Sequence, residues 1–314
     1  MPLINVKYLH LKFTISILHD CWLPREKTSA LTGALLSKLK KLYCINRNNS
    51  IGCGECKTRN VCLLYGMMGD GYDKNMPIAL QSKVSPRFII NCHDSRTVFK
   101  ANDVLEFEVI AIGNLAELFI HYIYAFESIG QKGLGPEKAM YELLSVLDEK
   151  GKAIYGNAVL IPDAAATDIY TYISTRINHC LDNQENIKRM TLLSSIMLNV
   201  NCENNNEIVL FSAEAIGRSI KERLSRLKLL EKEDDEKLNE LMNNYRIINS
   251  INLRLAKTKY HLTNGQKTMI FPRFTGWIAF DNDGINPYLE YFLACEKLCI
   301  GRNILLGYGR YIMG

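Results

Sequence analysis

Ile129-Gly130-Gln131-Lys132-Gly133-Leu134-Gly135 in mid-chain, and Ile300-Gly301-Arg302-Asn303 with Gly307-Tyr308-Gly309-Arg310 at the end, are two versions of one device. Each follows an apolar helical pattern and runs into glycines with basic neighbours, which reads as an internal duplication. Glycine permits positive φ and close backbone approach, so such a loop can turn N–H groups toward phosphate oxygens. Lys132, Arg302 and Arg310 would add charge. A structural turn is the competing reading of either loop alone; their repetition favours function. Neither loop opens the helix after a first strand and no Gly-Lys-Ser/Thr follows, which disfavours a dinucleotide fold and a P-loop.

The sequence around the loops falls into two cycles. Leu9, Leu11, Phe13, Ile15 and Ile17 alternate with His10, Lys12, Thr14 and Ser16, the period of a strand with one wet face. Leu31, Leu35, Leu39 and Leu42 predict a helix over 27–43, with Lys38, Lys40 and Lys41 near its end, where cations suit the helix dipole. Strands follow at 87–92 and 104–112, then a helix over 115–126 closed by Gly130, then a strand at 155–161. That is the βαββαβ order of a ferredoxin-like domain. The polar stretch 163–189 holds the boundary. The cycle restarts with a strand over 191–200, a helix over 216–227, a solvated charged face at 231–240, strands at 251–262 and 276–280, and an apolar helix over 287–298. The expected class is α+β, with two tandem ferredoxin-like (RRM-like) domains. Residues 1–188 carry a cysteine-rich insertion at 44–65, and residues 189–314 carry the second glycine loop.

At 314 residues, 47% hydrophobic and 23% charged, the chain can bury cores for two domains. Its 38 basic and 33 acidic residues leave a net charge of +5, a mild preference for polyanions that does not by itself select nucleic acid. Lys7, His10 and Lys12 interrupt the N-terminus, and Asn114, Glu117 and His121 the longest apolar stretch. Neither a secretion signal nor a membrane span is expected, and the expected location is cytoplasmic. Thiols stay reduced there, so the 10 cysteines read as buried apolar groups or metal ligands before disulfides.

Cys44, Cys53, Cys56 and Cys62 are spaced C-x8-C-x2-C-x5-C, and the knuckle Cys53-Gly54-Glu55-Cys56 lets two thiolates reach one tetrahedral ion. The expectation is a structural Zn2+ on these four residues, stapling a polar loop, with no catalytic metal. Cys21, Cys92 or His93 could replace Cys44, four free thiols are the plain alternative, and an iron–sulfur cluster would use the same ligands. Cys295 and Cys299 read as core.

Phe274-Thr275-Gly276-Trp277, Tyr288-Leu289-Glu290, Ile300-Gly301-Arg302-Asn303 and Gly307-Tyr308-Gly309-Arg310-Tyr311 together resemble the closing signature of the CRISPR-associated endoribonucleases of the RAMP (repeat-associated mysterious protein) superfamily. Gly33, the cysteine knuckle with Cys62 and Tyr65, Pro86 and Gly130 to Gly135 fall where one branch of that superfamily has such features. The resemblance implies two ferredoxin-like domains that bind CRISPR repeat RNA and cut it without a catalytic metal. The 2′-hydroxyl would attack the adjacent phosphate, leaving a 2′,3′-cyclic phosphate and a 5′-hydroxyl. The expected RNA-binding residues are those of the glycine loops: Gly130, Lys132, Gly133, Gly135, Gly301, Arg302, Gly307, Gly309 and Arg310. Expected partners are CRISPR repeat RNA and other CRISPR effector subunits; a homodimer is left open. A second reading keeps the RNA but makes the chain a non-catalytic RAMP subunit gripping CRISPR RNA in an effector complex. A third, a metal-dependent hydrolase, finds no His-rich or paired-carboxylate motif.

Transfer to a 2′-oxygen needs a base there, an acid at the leaving oxygen and positive charge on the phosphate. The superfamily keeps no fixed constellation, so the histidines are weighed singly. His19, just past the first strand, His261, beside Lys259 and Tyr260, and His10, beside Lys12 on the wet face, are the catalytic candidates, each against the plain reading of a surface or packing histidine. His121 reads as core, while His93 and His179 lack context. Trp277, Tyr308 and Tyr311 are candidates for base stacking.

Overall fold

Strand β1, Lys7–Ile17, realises the opening alternation: Leu9, Leu11, Phe13, Ile15 and Ile17 are buried and Lys12 is exposed. It belongs to a computed structural model that describes residues 5–48, 50–161, 164–183, 186–198, 211–261 and 268–314. The architecture is α+β, in two units. The first comprises Lys7–Thr167 and Leu305–Gly307; the second is chiefly Asp168–Ile304 and Tyr308–Gly314.

In the first unit β1 is followed by α1 (Lys27–Tyr43), β2 (Phe88–Asn91), β3 (Val104–Ile112), α2 (Phe119–Lys132), β4 (Tyr141–Asp148), β5 (Ala153–Gly156) and β6 (Val159–Leu160). The sheet order is β2-β3-β1-β4-β5-β6, with antiparallel neighbours throughout. Phe13 of β1 stacks on Phe107 of β3 at 4.9 Å and meets Phe126 of α2 edge-on at 5.1 Å, so α2 seals the apolar face. Burying a side chain of this size contributes about 2–3 kcal/mol. Tyr141 on β4 donates to the Phe126 carbonyl at 2.7 Å. β4, not the expected 155–161, is therefore the strand that completes the cycle, and 155–161 falls in the β5–β6 hairpin beside it. Helix α2 also runs past Gly130 to Lys132: a Cβ at Gly130 would lie 2.3 Å from the Tyr141 carbonyl oxygen, which is why glycine stands there.

Lys27 at the start of α1 is fully buried, its ammonium 2.9 Å from the Asp94 carbonyl oxygen, 3.8 Å from the Asp94 carboxylate and 5.1 Å from the centre of the Phe99 ring. Arg96 grips the same carboxylate with two nitrogens, at 2.6 and 2.9 Å. Partial burial raises the Asp94 pKa, but the Arg96 hydrogen bonds and the Lys27 charge outweigh it and hold the carboxyl below its ordinary 3.8. A depressed carboxyl stabilises the fold above its unfolded pKa, and that contribution fades as pH falls through the folded value. Asp94→Asn should therefore cost roughly 1 kcal/mol at neutral pH, and the gap in urea melts should begin to close near pH ~3.8 and vanish only below the depressed folded value. A gap that persists at acid pH would refute the assignment.

The second unit contains α3 (Ile169–Asp182), β7 (Arg189–Leu192), α4 (Ala213–Leu227), α5 (Lys232–Asn243), β8 (Ile248–His261), β9 (Thr268–Phe280), α6 (Leu289–Leu298) and β10 (Tyr311–Met313). Its sheet runs β8-β9-β7-β10, again antiparallel. Apart from α3 before it and the extra helix α5 within it, the run from β7 to β10 has the strand, helix, strand, strand, helix, strand order of β1 to β4 in the first unit. The division between units falls at Thr167/Asp168, earlier than the expected 188/189, because part of the polar stretch 163–189 is a helix. In α3, Ile169, Ile173 and Cys180 are buried, and the Asp168 side chain caps the start by accepting from the Tyr170 N–H at 2.8 Å. Strand β7 ends at Leu192, short of the expected 191–200, whose last two residues lie outside the described ones. Strand β9 begins well before the expected 276. The charged run becomes α5, but Asp234 is not solvated: it is fully buried, accepts the Tyr291 hydroxyl at 2.9 Å and caps the helix through the Glu231 N–H at 3.0 Å. Another buried acid, Glu296, accepts from the Met313 N–H at 2.6 Å, from Arg176 at 3.4 Å and from the Tyr172 hydroxyl, tying α3, α6 and β10 together. Among the described residues no helix is long and apolar enough to cross a membrane.

Candidate functional site

The sheet face of the first unit that carries His10 and Lys12 gathers chemistry. β1 and β3 pair Lys12 with Glu108 and Thr14 with Glu106, and β2 sets Asn91 opposite Glu108. Twist turns these into diagonal contacts. Lys12 Nζ lies 2.9 Å from Glu106, and His10 Nε2 lies 3.7 Å from Glu108. On the other side, His10 Nδ1 is 3.8 Å from Glu149, whose second oxygen accepts the Tyr8 hydroxyl at 2.6 Å. These His distances are those of charge attraction rather than hydrogen bonds. Asn91 Nδ2 reaches His93 Nε2 at 2.5 Å and Glu108 at 3.4 Å. A cleft of about 460 Å³ opens here, lined by Lys12, Asn91, His93, Arg96, Glu106 and Glu108 among others. An imidazole between two carboxylates can take up a proton and have its imidazolium stabilised; Lys12, two residues along the same strand face, is paired with Glu106, and Arg96 stands further along the sheet at the Val104 carbonyl, paired with Asp94. The cleft residues Asn91, Glu106 and Glu108 were missed in the sequence, and His93 was weighed there only as a replacement metal ligand and a histidine without context; nothing in the sequence links them to His10.

The other histidine candidates are elsewhere. His19 is exposed beyond β1, next to Asp20, whose carboxyl is held low by the Lys100 side-chain bond at 2.7 Å and the Ala101 N–H. His261 ends β8, and its side chain, like those of Lys259 and Tyr260, lies outside the described residues. His121 is half-buried and meets the Tyr43 hydroxyl through Nδ1 at 2.5 Å.

The glycine loops have steric causes. A Cβ at Gly133 would lie 2.3 Å from the Lys138 carbonyl oxygen, at Gly301 2.3 Å from that of Met197, and at Gly309 2.2 Å from that of Ile300. At Gly307 it would lie 2.7 Å from the Thr28 side chain, and all four glycines have positive φ. Gly135 also has positive φ, with room for a Cβ. Several loop amides are already engaged: the Gly133 N–H bonds Ile129, the Arg302 N–H bonds Met197, and the Gly309 N–H bonds Ser195. Lys132 is exposed, Arg302 half-buried and Arg310 buried. Tyr308 and Tyr311 are buried as well, the latter donating to the Phe292 carbonyl at 2.7 Å, so they pack rather than stack. Trp277 is half-buried under the Arg189 guanidinium, 4.7 Å away.

The cysteine segment is occupied by local bonds. Cys53 is buried and accepts the Lys74 N–H at 3.4 Å; Cys56 accepts from Asn46 at 3.2 Å and neighbours the Thr58 hydroxyl at 3.3 Å. Burial pushes the Cys53 thiol up, and the bonds from Thr58 and Asn46 pull Cys56 down. Among the described residues no three His, Cys, Asp or Glu side chains are grouped so as to hold a metal ion.

The protein family AF_1859_N matches this chain by its N-terminal domain, over residues 5–166, just over half of the chain. No curated protein sequence matches. Among solved structures, a partial Cas6-RT-Cas1–Cas2 complex superposes with a TM-score of 0.57 at 11% identity, over 99% of this chain and 47% of that one. The chain thus spans about half the length of that relative. Thermus thermophilus Cas6 gives 0.53 at 12% identity over 98% of this chain and 99% of the other. A Cas6 product complex gives 0.53 at 13% over the same shares. The fold is that of the Cas6-like RAMP proteins.

Proposed function

The chain belongs to the AF_1859_N family, and from that premise we propose that it binds CRISPR repeat RNA and cuts it, as a metal-independent endoribonuclease built from two ferredoxin-like domains. The observation that carries this reading is the Cas6-like fold across both units, with 98% of the chain superposing on a Cas6 product complex. His10 is the base of choice at the 2′-oxygen, flanked by Glu108 and Glu149, with Lys12 on the same strand face as the cation for the phosphate. His19 and His261 are the alternatives. The glycine loops shape the backbone around Lys132 and Arg302, the accessible cations of the loop set. Other CRISPR proteins are the partner class.

Labelled repeat RNA incubated with the protein in excess EDTA should be cut at one site, and a single 2′-deoxy substitution at that site should abolish the cut, because the nucleophile is gone. Cutting that survives deoxy substitution would overturn the chemistry. A second reading, an RNA-gripping subunit without catalysis, is favoured by the low exposure of the His10 side chain, 15%, between its two carboxylates; tight binding with no cut would establish it.

A further inference from the structure

The outer side of the α1–α2 pair carries cations of a different kind. Lys38 Nζ donates to Ser128 Oγ at 2.5 Å, while Tyr43 meets His121 edge-on, their ring centres 5.4 Å apart. Residue 38 thus faces 128 and 43 faces 121, so the helices run antiparallel. Lys38 also lies 5.2 Å from the centre of the Tyr124 ring, which is 51% exposed. Partial burial, then the charges of Lys132 and Lys41, hold the Lys38 pKa low; in the antiparallel register Lys41 lies on one side of Lys38 and Lys132 on the other.

What separates this cluster from the sheet face is compensation. Lys12, Arg96 and Lys100 each meet a carboxylate at 2.6–2.9 Å. Among the described residues no carboxylate lies within ion-pair distance of Lys38, Lys41 or Lys132. Lys41 and Lys132 each stand near a helix end, where the dipole accounts for one cation apiece. It does not account for Lys38, three residues into α1 from Lys41, being drawn toward α2 and into the field of Lys132. Gathering like charges costs free energy unless a counter-charge arrives.

We propose that this helix face is a second contact surface for single-stranded RNA, with Lys38, Lys41 and Lys132 against successive phosphates and the Tyr124 ring open to a base. Ammonium groups on flexible stems suit phosphates as point charges, and an exposed ring beside them is the stacking platform that single-strand binders use. The proposal rests on the RNA reading above and extends it to a surface on the helical side of the first unit, away from the sheet face that carries His10.

The test is fluorescence anisotropy of labelled repeat RNA against wild type, Lys38→Gln/Lys41→Gln/Lys132→Gln, Lys132→Gln alone, and Tyr124→Ala, over about 50–200 mM salt. Three lost single-strand phosphate contacts should lower the slope of log K against log salt by about 2 and weaken binding roughly 50-fold at about 0.15 M salt. Tyr124→Ala should weaken it roughly tenfold with the slope kept. Thermal melts matching wild type certify the variants as folded. Wild type that binds while the triple variant loses no more slope than Lys132→Gln alone, which the loop contact already accounts for, overturns the proposal and leaves the RNA reading standing. Wild type that binds no repeat RNA removes both. Equal loss toward poly-glutamate, with no effect of Tyr124→Ala, marks a surface for an acidic protein and overturns it too.

Discussion

Gly309→Ala should cost the second unit about 2–6 kcal/mol. The glycine sits at φ +95° with its missing Cβ aimed 2.2 Å from the Ile300 carbonyl oxygen. Holding alanine at such a φ costs about 1–3 kcal/mol, and forcing the backbones apart costs a further 1–3 kcal/mol or so. Yielding is expensive here because the two strands of backbone are doubly pinned: Ile300 N–H donates to the Gly309 carbonyl at 3.1 Å, and Gly309 N–H donates to Ser195 at 2.8 Å. The check is a thermal melt beside Gly156→Ala, a glycine with nothing within 4 Å of its Cβ position, which should stay within about 0.5 kcal/mol of wild type. If the Gly309 variant melts with wild type, the loop is more pliable than its geometry implies and the phosphate-cradle reading regains ground.

That loop marks the limit of what sequence could reveal. Glycines spaced Gly301, Gly307, Gly309 say that the backbone does something special there, and it does. Which thing, a close approach of carbonyls or of phosphates, depends on Ile300, Met197 and Ser195, and the latter two meet the loop only through the fold. β1 was legible because its alternation is unbroken over Leu9 to Ile17 and one face is wet. β4 was not, because its pairing with β1 slips by a bulge between Thr14 and Ile15, and Leu144 faces water at 39% exposure beside polar Ser145, which spoils the two-residue period. α3 hid in a polar stretch because only one narrow side of it is buried. At the candidate site, the polar face announced His10 and Lys12. Glu108, Asn91 and Glu149 join them through strand register, a long-range quantity that no local pattern encodes.

His10→Asn should lower the single-turnover cleavage rate by about 10²–10⁴-fold, the usual worth of a positioned base or acid, while repeat-RNA affinity stays within about twofold. The split matters. A histidine that merely packed would move stability or binding, whereas one that transfers a proton in the transition state moves the rate alone. Its carboxylate neighbours sharpen the prediction. Glu108 and Glu149 approach opposite nitrogens of the ring at 3.7 and 3.8 Å, so replacing either by glutamine removes one stabilising charge from the imidazolium but leaves the ring in place. Each single change should therefore cost less than loss of the ring, and the pair together more than either. The acidic limb of the pH–rate profile, which follows the base, should also shift to lower pH in each, since the protonated ring has lost an attraction. Wild-type rates for His10→Asn with a hundredfold loss for His19→Ala would instead put the chemistry beyond the end of β1. The sheet-face cluster would then be left as a place where RNA is read rather than cut, since carboxylates and an amide around a cleft suit base edges better than a phosphate.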